Sequence, residues 1–109
     1  MAFHRGELIW LDFNPQSGRE QAGRRPALVI SPEEYNSVSS CVLVCPITAN
    51  QSPWPWKVAL PAHCPIKGAV LVDQLKSVDS LARHAESAAA TVDAETLNEI
   101  LSRLQTLVG

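Results

Sequence analysis

The stretch that most limits the fold runs from residue 6 to residue 32. Two apolar runs, 7–13 and 27–31, are rich in Ile, Leu, Val and Trp. They bracket a connection that opens at Asn14-Pro15 and carries Gly18 and Gly23. Short apolar runs punctuated by Pro and Gly read as strands, and a long connection between strands tends to carry function. This one holds Arg19, Glu20, Gln21, Arg24 and Arg25. Guanidinium forks pair bidentately with phosphate, so the cluster suits an anionic substrate; the same charges also suit a solvated hairpin tip. Pro26 biases Arg25 toward extended backbone, which holds Arg25 at the junction of loop and strand.

The rest of the chain continues in short pieces. Ser31-Pro32-Glu33-Glu34 is a helix-start pattern, with Ser31 as cap, Pro32 at the first helical position and Glu34 closing a capping box. It predicts one short turn before Asn36. Residues 41–47 read as a third strand whose end Pro46 places at an edge or a bulge, so that the Thr48 hydroxyl emerges where the strand leaves the sheet. Runs 57–60 and 68–72 read as two further strands around a turn at 61–65. In 73–77, Leu75 alternates with polar neighbours, which turns Gln74, Lys76 and Ser77 toward a ligand surface. Strands this short, with turn signals about every 8–12 residues, predict a mainly β fold built as a small barrel.

The last element differs. Leu97, Ile100, Leu101, Leu104, Leu107 and Val108 recur at helical spacing, which predicts an amphipathic helix with Asp93 as N-cap. No repeat, low-complexity tract or linker interrupts residues 1–109, so a single domain is expected.

Composition narrows the function classes. The net charge of −2 argues against a general polyanion binder. It hides an asymmetry: residues 1–83 carry eight Lys/Arg against seven Asp/Glu, and 84–109 carry one against four. An acidic C-terminal helix therefore masks a more basic body that leaves room for a local basic groove. Cys41, Cys45 and Cys64 have no C-x-x-C spacing, so free thiols are expected, with Cys41 and Cys45 facing the core. His4, His63 and His84 are scattered, and no cluster has metal-ligand spacing; no metal and no cofactor are expected. There is no export-type apolar segment and no run near the length of a membrane span. The loop 51–56, QSPWPW, sets Trp54 and Trp56 between prolines. These indoles suit stacking on bases, capping of the barrel end or a dimer interface; their large area puts the core or interface role slightly ahead.

Four blocks carry a family resemblance: GELIWLDF at 6–13, EQAGRRP at 20–26 with VISP at 29–32, PIT at 46–48 and VDQLKS at 72–77. In order and spacing they resemble the MazF/PemK toxins, ribosome-independent RNA endonucleases of bacterial toxin–antitoxin pairs. The resemblance implies an SH3-like small β-barrel with a C-terminal helix (CcdB/PemK-like), a homodimer in the cytoplasm, a single-stranded RNA substrate and a cognate antitoxin with an acidic disordered segment. It implies catalytic roles for Arg25 and Thr48, with Glu20 as a further acid–base candidate. Arg24, Gln21, Gln74, Lys76, Ser77 and Arg83 fall where such a toxin lines its RNA groove, and Trp54 and Trp56 are candidates beside them.

Metal-free RNA cleavage requires a deprotonated 2′-OH, a stabilised phosphorane and a protonated leaving oxygen. A guanidinium stays protonated to roughly pH 12 and above, which suits Arg25 to clamping the phosphorane and donating a proton. Thr48 would hold a phosphate oxygen, and the Glu20 carboxylate is the better base. The expected products are a 2′,3′-cyclic phosphate and a 5′-hydroxyl. Two readings compete. A CcdB-like toxin that binds DNA gyrase without catalysis has no chemical need for the Arg25/Thr48 pair. An SH3-like peptide-binding module would set acidic residues beside Trp54 and Trp56, and that loop has none.

Overall fold

The computed structural model describes residues 2–13 and 23–109. Its elements are β1 (Glu7–Phe13), β2 (Gly23–Val29), α1 (Glu33–Asn36), β3 (Cys41–Thr48), β4 (Lys57–Ala59), β5 (Ala69–Leu71), β6 (Lys76–Asp79), β7 (Glu86–Thr91) and α2 (Ala94–Val108), with a 3-10 turn at Val72–Gln74. Strands β1 and β2 pair antiparallel from Leu8 opposite Leu28 to Phe13 opposite Gly23. Both faces of this pair are buried: Leu8 and Leu28 on one side, Ile9, Leu11, Ala27 and Val29 on the other. A sheet covered on both faces reads as a continuous apolar run rather than an alternation, which is why 7–13 is so apolar.

The sheet runs β4-β5-β3-β2-β1-β7, and β6 also pairs with β3. β6 lies against Cys41–Val44 and β5 against Ile47–Thr48, so the two share one edge of β3 end to end. The 3-10 turn fills the gap between them. Leu43 directs its backbone toward β2, where its carbonyl accepts from Ile30 N at 2.8 Å. By alternation Pro46 directs its own toward the gap, where a missing N–H costs no ladder bond. Pro46 pairs with Ala27 on its other side, and β3 continues one residue past the expected end, to Thr48.

β6 and β7 lie at opposite ends of the path β6-β3-β2-β1-β7, yet only residues 80–85 join them. Ala85 N donates to Ser80 O at 2.9 Å, and Asp12 N donates to Arg83 O at 2.8 Å. So short a bridge curls the sheet into a small barrel. Its interior holds Ile9, Leu11, Ala27, Val29, Val42, Val44 and Val78, with Phe3, Phe13 and Ala85 packed against them. The outer face carries Leu8, Leu28, Cys45, Ile47, Val58, Val70 and Val72 and is closed by α2 through the fully buried Ile100. Burying a side chain of that size contributes about 1.5–3 kcal/mol.

Helix α2 begins where its cap predicts. Asp93 accepts from Thr96 N at 3.4 Å and from the Thr96 hydroxyl at 2.6 Å. The Thr96 side-chain hydrogen bond is the main cause holding the Asp93 carboxyl below its ordinary range. Leu97, Leu101 and Leu104 pack on the core, whereas Leu107 and Val108 project beyond it and are exposed. No helix among the described residues is long and apolar enough to cross a membrane.

Three local expectations are corrected. Ser31 does not cap α1; the cap is Pro32, without a side-chain hydrogen bond. The buried Ser31 hydroxyl instead donates to Asn36 Oδ1 at 2.5 Å and accepts from Leu43 N at 3.0 Å, tying α1 to β3. Cys45 is buried, with its thiol pushed up to about 12 chiefly by that burial, but Cys41, two residues beyond Leu43 on the same face, is only half-buried. β7 has no counterpart in the sequence reading. It pairs with β1 through a bulge between Leu8 and Ile9, and Ala89 in it adopts φ 57. Left-handed backbone costs a residue with a Cβ roughly 1–2 kcal/mol. Ala89→Gly should therefore raise stability by about 0.5–1 kcal/mol after the entropy cost of glycine, measured by urea unfolding.

Candidate active site at the barrel mouth

One end of the barrel interior gathers the chemistry. Arg25 pairs with Leu11 across β1; Leu11 is an interior residue, and directly opposed residues share a face. β2 and β3 pair as Ala27 with Pro46 and Leu28 with Cys45. Carried two residues on, this register sets Arg25 opposite Thr48, the last residue of β3. Both are half-buried. Thr48 Oγ1 accepts from Asn50 N at 3.1 Å, which orients the hydroxyl and leaves its proton for donation.

Lys76 pairs with Val44 and so lies on the same face. Its ammonium stands 5.2 Å from the centre of the Phe13 ring, a cation–π contact that holds the charge over the mouth. Phe13 was not singled out from the sequence. The alternation Ile9, Leu11, Phe13 was the available signal, for it continues the interior row to the rim. Gln74, exposed at the end of the 3-10 turn, precedes Lys76 by two residues. Arg83 reaches the rim from the turn 80–85, where its Nη1 donates to Asp12 O at 3.3 Å.

Other candidates are placed elsewhere. Ser77 pairs with Leu43 and therefore belongs to the opposite face from Lys76, so it does not join the Lys76 group. Arg24 also faces away from the mouth, and its guanidinium is engaged by partners within the protein. Its guanidinium donates to Asp12 Oδ1 at 3.0 Å and Glu86 Oε1 at 2.9 Å, and to the carbonyls of His84 and Trp10. Glu20 and Gln21 lie outside the described residues.

The two tryptophans divide. Their ring centres are 5.8 Å apart at 56°. Trp56 packs on the outer core and donates to Thr106 Oγ1 of α2 at 3.2 Å. Trp54 is 47% exposed and donates to Asp73 Oδ2 at 3.1 Å. Trp54 also walls a cavity of about 540 Å³ that reaches Thr48 and is floored by Gly68 and Ala69. Lys57 braces the loop over it, with Nζ donating to Asn50 O at 3.1 Å and Ser52 O at 2.6 Å.

Asp12 has its carboxyl held below the ordinary range, first by the hydrogen bond from His84 and then by Arg24. Among the described residues no group of three or more His, Cys, Asp or Glu is placed to hold a metal ion. The mouth thus offers cations, a hydroxyl and an aromatic face, a donor set suited to a phosphodiester.

Residues 4–108 match the family described as PemK-like, MazF-like toxin of type II toxin–antitoxin systems. The endoribonuclease toxin MazF of Escherichia coli K12 is 40% identical over 104 residues, covering 95% of this chain and 92% of the relative. The endoribonuclease toxin ChpB of the same strain is 38% identical over 111 residues, covering 97% and 94%. A crystal structure of MazE-MazF from Deinococcus radiodurans superimposes with a TM-score of 0.90 at 43% identity, covering 100% of this chain and 97% of that one.

Proposed function

The chain belongs to the PemK-like, MazF-like toxins of type II toxin–antitoxin systems, and from that premise we propose that it is an endoribonuclease that cuts single-stranded RNA at the barrel mouth without a metal ion. The observation that carries this reading is the register that brings Arg25 opposite Thr48, with Lys76 on the same face.

In the proposed reaction the 2′-oxygen attacks the adjacent phosphorus. The bond from phosphorus to the 5′-oxygen breaks, leaving a 2′,3′-cyclic phosphate and a 5′-hydroxyl. The 2′-OH proton passes to a base, for which Glu20 is the candidate by charge state. Arg25 spans two oxygens of the crowded phosphorane and delivers a proton toward the departing oxygen. The Thr48 hydroxyl donates to a phosphate oxygen. Lys76, Gln74 and Arg83 hold flanking phosphates and sugars, and Trp54 offers a face to a splayed base.

The same cationic mouth suits an antitoxin with an acidic, extended segment that folds on binding. Inhibitor and RNA then compete for one groove. A homodimer acting in the cytoplasm as a single-domain toxin completes the proposal.

Mapping the ends of labelled RNA after incubation with purified protein tests the chemistry. The expected result is cyclic-phosphate and 5′-hydroxyl ends, formed at an unchanged rate in excess chelator. Loss of cleavage in chelator with recovery on adding a divalent ion would overturn the metal-free mechanism.

A further inference from the structure

Arg24 and Arg25 are adjacent in sequence but serve opposite faces of β2. Among the described residues Arg24 makes four contacts. Nη1 donates to Asp12 Oδ1 at 3.0 Å, and Nη2 donates to Glu86 Oε1 at 2.9 Å, His84 O at 2.7 Å and Trp10 O at 3.2 Å. The second oxygen of Asp12 meets His84 Nδ1 at 2.9 Å. The Asp12 backbone is tied to Arg83, through Asp12 N to Arg83 O at 2.8 Å and Arg83 Nη1 to Asp12 O at 3.3 Å. His84 adopts φ 53, a left-handed conformation that persists only where surroundings enforce it. Here its carbonyl is engaged by Arg24 and its ring by Asp12.

These contacts join four places: the end of β1, the start of β2, the turn 80–85 and the start of β7. Two of them carry residues of the mouth, Arg25 on β2 and Arg83 in the turn. With the carboxylates of both Asp12 and Glu86 on the Arg24 guanidinium, Arg24 has no unmatched positive charge to offer a phosphate. A phosphate at Arg24 would have to displace Asp12 or Glu86.

We infer that Arg24 is a positioning residue of the cleavage site: it fastens the end of β2 that bears Arg25 to β1, while Arg83 keeps its own ties to the Asp12 backbone, and Arg24 does not itself contact RNA. The inference rests on the reading of Arg25 as the phosphorane clamp. It also assigns Asp12 to the same task, because Asp12 accepts from Arg24 and His84 at once. The two explanations of Arg24 predict opposite effects of Asp12→Asn. If Asp12 merely restrains an RNA-binding Arg24, removing its charge frees a cation and tightens RNA binding. If the pair positions Arg25, Asp12→Asn slows the chemical step and leaves binding alone.

The experiment measures kcat, KM and the salt dependence of binding for Arg24→Ala, Arg24→Lys and Asp12→Asn. Binding is read with RNA carrying a 2′-deoxy sugar at the cut, and thermal melts confirm that each variant is folded. The expected result for Arg24→Ala and Asp12→Asn is a fall in kcat of about 10- to 100-fold, the scale of a small misplacement of a reacting group. Affinity for uncleavable RNA and the salt slope stay at the wild-type value, and Arg24→Lys recovers part of kcat. A double Arg24→Ala/Asp12→Asn variant should lose no more than either single variant.

The inference is overturned if Arg24→Ala weakens RNA binding and lowers the salt slope by about 0.7, the loss of one single-strand phosphate contact. It is also overturned if kcat is unchanged in both single variants, or if Asp12→Asn tightens binding. Arg25→Ala, run beside them, separates the two claims: full activity in that variant sinks the reading of Arg25, whereas its inactivity with an RNA-binding Arg24 sinks only the present inference.

Discussion

Arg25→Ala is expected to cut RNA at least ~10²-fold more slowly than the unaltered chain, the usual scale for removing one donor that acts in the transition state. Truncation leaves the β2 backbone and its pairing with β1 in place, because Arg25 contributes to the mouth and not to the cluster of Ile9, Leu11 and Ala27. Folding is thus expected to survive while catalysis fails. Arg25→Lys should recover little, since a point charge cannot span two phosphorane oxygens. Thr48→Val keeps the shape at the end of β3 and removes the hydroxyl, and should also be strongly impaired. Single-turnover cleavage of one labelled oligonucleotide, with circular dichroism to verify folding, decides the matter. Wild-type rates in both folded variants would remove Arg25 and Thr48 from the mechanism.

Gly68→Ala is expected to damage stability and activity together. Gly68 adopts φ +132, and a Cβ there would lie 2.4 Å from Thr48 O and 3.1 Å from Ile47 Cγ2. The first neighbour is backbone and cannot rotate away. Gly68 O also accepts from Leu60 N at 2.9 Å, so the segment cannot swing outward without losing that bond. Strained backbone and overpacking each cost about 1–3 kcal/mol, and a combined loss of about 2–5 kcal/mol in urea unfolding is expected. The relief available is a shift of the Thr48 carbonyl, which carries the hydroxyl with it. Cleavage by the folded fraction should therefore fall as well, by up to ~10²-fold for a displacement near 1 Å. A variant as stable as the parent would show that the end of β3 yields more easily than its pairing with β2 and β5 implies.

Much of the barrel was legible because its strands announce themselves. β1 reads correctly to the residue, since Gly6 stands before an apolar run and Asn14-Pro15 follows it. Asp93 and the leucines of α2 likewise give the helix its start and its buried face. β7 was not legible: Glu86–Thr91 reads ESAAAT, and alanine is depleted in strands. Pairing with β1 overrides that preference, at the cost of the bulge at Ala89. Ser31 mimics a helix cap because the pattern S-P-E-E ignores what lies across space. Its hydroxyl is taken by Leu43 N and Asn36.

The candidate site divides the same way. Arg25, Thr48 and Lys76 were singled out through motif residues, but their common face is a property of strand register that no single stretch records. Arg24 was the harder case. Two adjacent arginines look equivalent in a sequence, and the partners that distinguish them, His84 and Glu86, lie 60 and 62 residues away. Phe13 was hidden for the opposite reason, as one more apolar residue in an apolar run.

The sharing of β3 has a further consequence for how a substrate is measured. Lys76 is anchored opposite Val44, and Thr48 ends the same strand with Arg25 beyond it. Four residues of extended backbone span about 13 Å. β3 is paired on both of its edges, so that length is not free to stretch or shorten. On the proposed reading, Lys76 and Thr48 form a fixed gauge to which the RNA conforms. A single strand, whose torsions rotate independently, can adopt the gauge's spacing.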